Sequence, residues 1–201
     1  MFFQLPRFFY RFFPTILWKV KDEGKKIYLT FDDGPIPEIT TRVLDILDDF
    51  QWKATFFCVG DNVRKYPEIY KDIIRRGHKT GNHTYNHLKG RRYSNIDYIN
   101  NVSKAENHIS SDVFRPPYGS IKKSQLEQLR KKYRIVMWDV ITYDYHPKQN
   151  PDGIMKILRR RLSNGSIVVF HDSLKSRNNL LETLPKALEF WQTSGYSSGL
   201  I

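Results

Sequence analysis

The chain has 201 residues, 40% of them hydrophobic and 14% aromatic, which is globular usage and enough to bury one substantial core. A lone cysteine, Cys58, rules out an internal disulfide framework and reads as a buried core residue. The formal charge of +12 and pI near 9.7 favour anionic polymers or membrane surfaces; with no nucleic-acid motif and aromatics mainly in core strands and helices, no nucleic-acid partner is expected.

Residues 1–20 come first, an aromatic segment with Phe2, Phe3, Leu5, Phe8, Phe9, Phe12, Phe13, Ile16, Leu17 and Trp18, broken by Pro6, Arg7, Arg11 and Pro14. Its longest uncharged run is too short to cross a bilayer, and no small-residue cleavage site follows, so neither a transmembrane helix nor a cleavable signal peptide is expected. The segment reads as a strap over the far end of the fold. The alternative is an interfacial anchor making peripheral membrane contact.

Residues 21–201 read as one domain in which short apolar strands alternate with helices. Ile27–Phe31 precedes a helix over Ile39–Phe50, and Ala54–Val59 precedes one over Pro67–Arg76. A brief strand near His78 leads to Asn95–Ile109, and Phe114 leads to Lys122–Tyr133. Ile135–Val140 is followed by Ile154–Leu162, and Ile167–Phe170 by Leu180–Trp191, where Pro185 predicts a kink or a fresh start. This alternation predicts an α/β fold with a parallel sheet. The residues with chemical potential follow strands rather than precede them, which favours a single-domain (β/α) barrel, with an open doubly wound sheet as runner-up.

Two segments carry the chemistry, Thr30-Phe31-Asp32-Asp33-Gly34-Pro35 and His83-Thr84-Tyr85-Asn86-His87. On a regular strand one of two adjacent aspartates would enter the core unpaired, so both are expected at a strand end, where Gly34-Pro35 turns the chain. His83 and His87 are one helical turn apart and can meet the same ion. One aspartate plus two histidines gives three ligands, which leaves a position open as in catalytic sites, and the second aspartate is free to act on water. Either segment alone is more often a turn or a polar helix face. Phe114-Arg115-Pro116-Pro117-Tyr118-Gly119 and Ile167-Val168-Val169-Phe170-His171-Asp172 make the hydrolytic reading the stronger one.

With these segments in this order, residues 25–196 resemble the NodB-homology polysaccharide deacetylases of carbohydrate esterase family 4. The five motifs match as Thr30–Pro35, His83–His87, Arg115–Gly119, loosely Trp138–Tyr145, and Val169–His171. The resemblance implies a distorted seven-stranded barrel. It implies Asp32 as catalytic base, Arg115 as its orienting partner, and Asp33, His83 and His87 as ligands of one divalent ion, zinc first, with cobalt and nickel also suited. It further implies the Tyr118 backbone N–H as an oxyanion donor, His171 as general acid, and Pro117, Tyr118, Tyr145 and Val169 as substrate contacts. The activity implied is removal of N-acetyl groups from N-acetylglucosamine-type residues of an acetylated polysaccharide, with peptidoglycan or a related envelope glycan first. That chemistry cuts carbon–nitrogen but not peptide bonds.

Water needs a base to lose its proton, and an arginine keeps a carboxylate oriented. Developing oxyanion charge calls for a metal and a backbone donor. An amine leaves only when protonated, a task suited to histidine. The fourth motif departs from the family, because Ile141-Thr142-Tyr143-Asp144-Tyr145 lacks its first aspartate and has tyrosine for tryptophan. Asp144 is assigned the orientation of His171, with Asp139 as the alternative. Val169 stands where the family has leucine. His146 and Asp172 read as supporting or structural, and His78 and His108 as structural. An O-acetyl xylan esterase using the same site, or a catalytically silent glycan-binding module, are the competing functions.

Overall fold

The computed structural model describes residues 7–21 and 24–201. After a 3-10 turn at Arg7–Phe12 the elements run β1 (Ile16–Leu17), β2 (Lys26–Asp32), α1 (Ile39–Asp49), β3 (Thr55–Cys58), α2 (Gly60–Lys65), α3 (Pro67–Arg75), β4 (Lys79–Asn82), α4 (Asn95–Glu106) and β5 (Val113–Phe114). They continue with α5 (Lys123–Leu129), β6 (Arg134–Val136), β7 (Val140–Ile141), α6 (Pro151–Arg161), β8 (Ile167–His171), α7 (Arg177–Thr193) and β9 (Ser197–Ser198).

Eight strands pair along one parallel path, β1-β6-β5-β4-β3-β2-β8-β7, and β9 joins β2 off that path. The barrel is therefore distorted, as expected, with eight strands on the path where seven were implied. Part of the difference lies in Ile135–Val140, expected as one strand. It divides into β6 and β7, because Asp139 between them bonds sideways to Tyr10 and Ser166.

The two faces of each strand go to different cores. On β2, Ile27, Leu29 and Phe31 pack with Val43, Leu44 and Leu47 of α1 and Leu184, Leu188 and Trp191 of α7. Tyr28, on the opposite face, joins Phe57, Val113, Val136 and Ile167 inside the barrel. The same alternation turns Thr30 and Asp32 inward.

Helix α7 corrects the expectation at Pro185, since it runs unbroken through that residue. Its buried face, from Leu180 through Leu184, Ala187 and Leu188 to Trp191, holds it against α1 and α6 despite the missing N–H. Helix α2 was not expected, and its polar sequence Gly60-Asp61-Asn62-Val63-Arg64-Lys65 has only Gly60 and Val63 buried. No helix among the described residues is long and apolar enough to cross a membrane.

Residues 1–6 of the expected strap lie outside the described residues. Beyond them, Ile16 and Leu17 pair with Ile135 and Val136, and the Val20 amide donates to Gly165 O. The chain thus bridges from β6 to the start of β8.

Candidate metal centre and its acid–base pairs

Asp32 ends β2, and its register partner on β8 is His171. Asp33 follows with φ 85°, which turns its side chain away from the strand direction. The two carboxylates therefore diverge around one point, as the sequence requires.

The histidines reach that point by a route that corrects the helical expectation. His83 to Lys89 is a loop after β4, and Thr84 and His87 adopt positive φ of 64° and 56°. A β-branched residue takes that conformation only when its surroundings hold it there. Thr84 N–H donates to Asn82 Oδ1 at 2.8 Å, Gly60 N–H to Thr84 O at 2.9 Å, and Leu88 N–H to Thr84 Oγ1 at 3.1 Å. Five of the seven non-glycine residues with positive φ among those described, Asp33, Thr84, His87, Tyr118 and Tyr143, lie in the loops of this site.

Asp33, His83 and His87 each offer one ligand atom, and these atoms lie within 4.8 Å of one another. Asp33 Oδ1 is 3.1 Å from His87 Nε2 and 3.9 Å from His83 Nε2, and it is buried with no hydrogen bond made to it. His83 Nδ1 donates to Arg115 O at 2.7 Å, which leaves the Nε2 lone pair facing the carboxylates. Burial lowers the His83 ring to about 4 against the pull of Asp32 and Asp33, so it is neutral and fit to ligate. Burial by itself raises the Asp33 carboxyl, but His87, His171 and His83 outweigh it and hold it below the usual carboxylate range. An orphaned carboxylate oxygen beside two imidazoles suits a divalent cation, and nitrogen–oxygen ligands of this kind accept zinc, cobalt or nickel.

Two pairs flank this centre. Arg115, fully buried after β5, donates from Nη1 to Asp32 Oδ1 at 2.6 Å and to Thr30 Oγ1 at 2.8 Å, and from Nη2 to Met137 O at 3.0 Å. Its guanidinium lies 4.0 Å from the Phe57 ring centroid. With Oδ1 occupied, Asp32 Oδ2 is the oxygen turned to the ligand atoms, 4.0 Å from His83 Nε2. On the other side His171 Nδ1 donates to Asp144 Oδ1 at 2.8 Å, and the His171 amide donates to Asp144 Oδ2 at 2.8 Å. Burial would lower the His171 ring, but the Asp144 carboxylate, with Asp33 and Asp32 behind it, pushes it up to about 9. Asp139, the alternative partner, bonds instead to Tyr10 and Ser166.

Of the remaining candidates, the two tyrosines lie at the rim and Pro117 and Val169 are buried. Tyr118 is 64% exposed, has φ 60°, and its ring lies 4.7 Å from that of His87. Pro117 before it is buried. Tyr145 meets the His171 ring edge-on at 4.7 Å. Val169 is fully buried on β8, two residues before His171 and on the same face of the strand.

Three contributors were not read from the sequence. Thr30 lies inside the first motif, and its inward position follows from strand alternation. Phe57 follows from the same rule on β3. Asn82 fixes Thr84 from the end of β4 and left no local signal.

A family model described as polysaccharide deacetylase matches residues 19–136. A peptidoglycan-N-acetylglucosamine deacetylase of Bacillus cereus is 31% identical over 90% of this chain and 88% of its own. A chitooligosaccharide deacetylase of Azorhizobium caulinodans is 34% identical over 77% of each chain. The solved structure of a peptidoglycan N-acetylglucosamine deacetylase with 4-naphthalen-1-yl-N-oxidanyl-benzamide superposes with a TM-score of 0.90 at 29% identity, over 98% of this chain and 95% of that one. Other relatives are longer, and this chain covers 56% of one and 35% of another.

Proposed function

Because this chain belongs to the polysaccharide deacetylase family, which is a metal-dependent family, we propose that it removes N-acetyl groups from N-acetylglucosamine-type residues of peptidoglycan or a related envelope glycan. The observation that carries this reading is the convergence of Asp33, His83 and His87 between the Asp32–Arg115 and His171–Asp144 pairs.

Asp33, His83 and His87 hold one divalent cation, with zinc the first choice and cobalt or nickel also suited. Such an ion supplies Lewis acidity, polarising the acetamide carbonyl and making water acidic near neutral pH. Asp32 takes the proton of the attacking water at Oδ2, while Arg115 and Thr30 keep the carboxylate in place through Oδ1. The Tyr118 backbone N–H donates to the oxyanion that develops on the former carbonyl. His171 has Nδ1 committed to Asp144, so Nε2–H faces the cleft and protonates the departing amine. Val169, Pro117 and the rings of Tyr118 and Tyr145 shape the pocket for the acetylated sugar.

A catalytically silent binding module would not need both acid–base pairs intact. Acetate release from an N-acetylglucosamine tetramer separates the two readings. The protein with zinc, cobalt or nickel releases acetate, chelation abolishes the release and re-addition restores it. Asp32→Asn lowers kcat by about 10²- to 10⁴-fold while metal content is unchanged. Bound metal without release from amide or ester substrates overturns the enzyme reading. Release from acetylated xylan alone makes the protein an ester hydrolase.

A further inference from the structure

One wall of the metal cleft carries positive charge that no carboxylate among the described residues neutralises. It is built from the loop after β4 and the loop after β5, fastened to each other. Gly90 N–H donates to Ser120 O at 3.1 Å, Gln125 Nε2 to Gly90 O at 3.0 Å, and Lys122 Nζ to Tyr93 O at 2.6 Å. The wall starts at the metal centre, since the His87 ring packs on Tyr118 and Lys89 Nζ lies 5.7 Å from the Tyr118 ring centroid.

Along this wall Lys89, Arg91 and Arg92 are exposed, and none of them has an ion-pair partner among the described residues. The cations on α2 and α3 are arranged otherwise. Arg64 and Lys65 pair with Asp61, Lys71 with Glu68, and Arg75 with Asp72. Two exposed rings accompany them, Tyr118 at 64%, beside Lys89, and Tyr93 at 40%, which follows Arg92 in the chain. Rings of this kind offer an apolar face to the C–H side of a sugar, and a guanidinium matches a carboxylate through two parallel hydrogen bonds.

We propose that this wall reads carboxylates, and that the preferred glycan bears a carboxylate on a sugar residue beside the one whose acetamide is cleaved. An acidic sugar, or a sugar carrying an acid through an ether or amide linkage, supplies that group. The proposal rests on the deacetylase reading for the position of the cleaved sugar; the unpaired charge is a separate observation.

Binding rather than turnover tests it. Fluorescence anisotropy of the full chain is measured with a labelled N-acetylated glycan fragment bearing free carboxylates, and with the same fragment converted to methylamides. The carboxylated probe binds at least about 10-fold more tightly at low salt, and the preference shrinks at 200 mM salt as screening requires. In the triple variant Lys89→Gln, Arg91→Gln, Arg92→Gln the ratio of the two affinities falls towards one. In Lys71→Gln, Arg75→Gln, on paired cations elsewhere, the ratio is kept. Equal binding of both probes by the unaltered chain, a preference that survives the triple substitution, or equally tight binding of a single-stranded oligonucleotide of the same charge overturns it. A chain that discriminates the probes but releases no acetate refutes the deacetylase reading and leaves the wall standing. A chain that releases acetate from a neutral oligosaccharide without discriminating the probes does the reverse.

Discussion

His171 is held by Asp144 at both its ring nitrogen and its backbone amide, so one carboxylate fixes the tautomer, the orientation and the charge of the ring. A proton-donating role needs the ring protonated before the amine departs. With the pKa raised to about 9, that condition holds through neutral pH and fails above it. Asp144→Asn removes the charge that opposes burial, so the alkaline limb of the pH–rate profile moves to lower pH, and kcat at pH 7.5 drops by about 10²-fold or more. An unchanged alkaline limb removes His171 as the acid. His78 shows the opposite case. Burial lowers it to about 4, and its Nδ1 accepts from the Ala54 amide at 3.2 Å, so the fold contains the neutral ring. The unfolded chain takes up this proton near 6.5 and the folded one only near 4, so stability is present above 6.5 and lost as pH falls through that window. His78→Asn keeps an acceptor for Ala54 and does not titrate. It therefore flattens the acid limb of the unfolding midpoint between pH 6.5 and 4 by up to about 3 kcal/mol, measured by denaturant titration.

The ends of β2 and β8 and the start of α1 are joined by one buried side chain. Asp172 Oδ1 accepts from the Gly34 amide at 3.0 Å, and Oδ2 accepts from Thr40 Oγ1 at 2.6 Å. A Cβ on Gly34 would collide with that carboxylate, so the turn that aims Asp33 is set by contact with the end of β8. Asp172→Ala should leave the Gly34 amide and the Thr40 hydroxyl without this acceptor and weaken metal affinity at least about 10-fold, measured by competition with a chelating dye, whereas Asp172→Asn keeps one acceptor and most of the affinity. Such links between elements are the part that the sequence does not display. Asp32, Asp33 and Arg115 are legible because each lies in a short segment where an apolar run and a following proline and glycine mark a strand end, and His171 because it closes the apolar run Ile167–Phe170. The loop of His83 and His87 is not, because four-residue spacing suits a helix equally well, and the left-handed Thr84 is imposed by Asn82 and by Gly60 of α2. Pro185 misleads for a related reason, since its local effect is outweighed by the packing of the buried face of α7 against two other helices. The break between β6 and β7 depends on Tyr10, more than a hundred residues away.

The barrel separates its tasks by end. The proposed metal centre and both acid–base pairs sit at the carboxyl ends of β2, β4, β5, β7 and β8, whereas the N-terminal segment works along β6 and at the start of β8. There the Tyr10 hydroxyl donates to Asp139 Oδ1 at 2.9 Å, Ser166 Oγ donates to the other oxygen of that buried carboxylate, and the Tyr10 ring stacks on Trp18 at 5.2 Å. Barrel enzymes place stability at the end opposite the chemistry, and this arrangement predicts that the two can be uncoupled. Tyr10→Phe keeps the stacked ring and removes one donor from a buried carboxylate, which should destabilise the fold by about 1–3 kcal/mol. Ile16→Ala, on β1, removes buried apolar volume from the cluster with Phe114, Ile135 and Met137 and should cost about 2–4 kcal/mol. Both variants lower the thermal midpoint, but neither changes zinc affinity or KM at 20 °C by more than about 2-fold, because neither residue touches the loops that carry the ligands. A parallel loss of metal affinity in Tyr10→Phe would mean that β6 and β7 transmit strain from Asp139 through Met137 to Arg115, whose Nη2 donates to Met137 O. That outcome would make the N-terminal segment part of the catalytic machinery rather than its support.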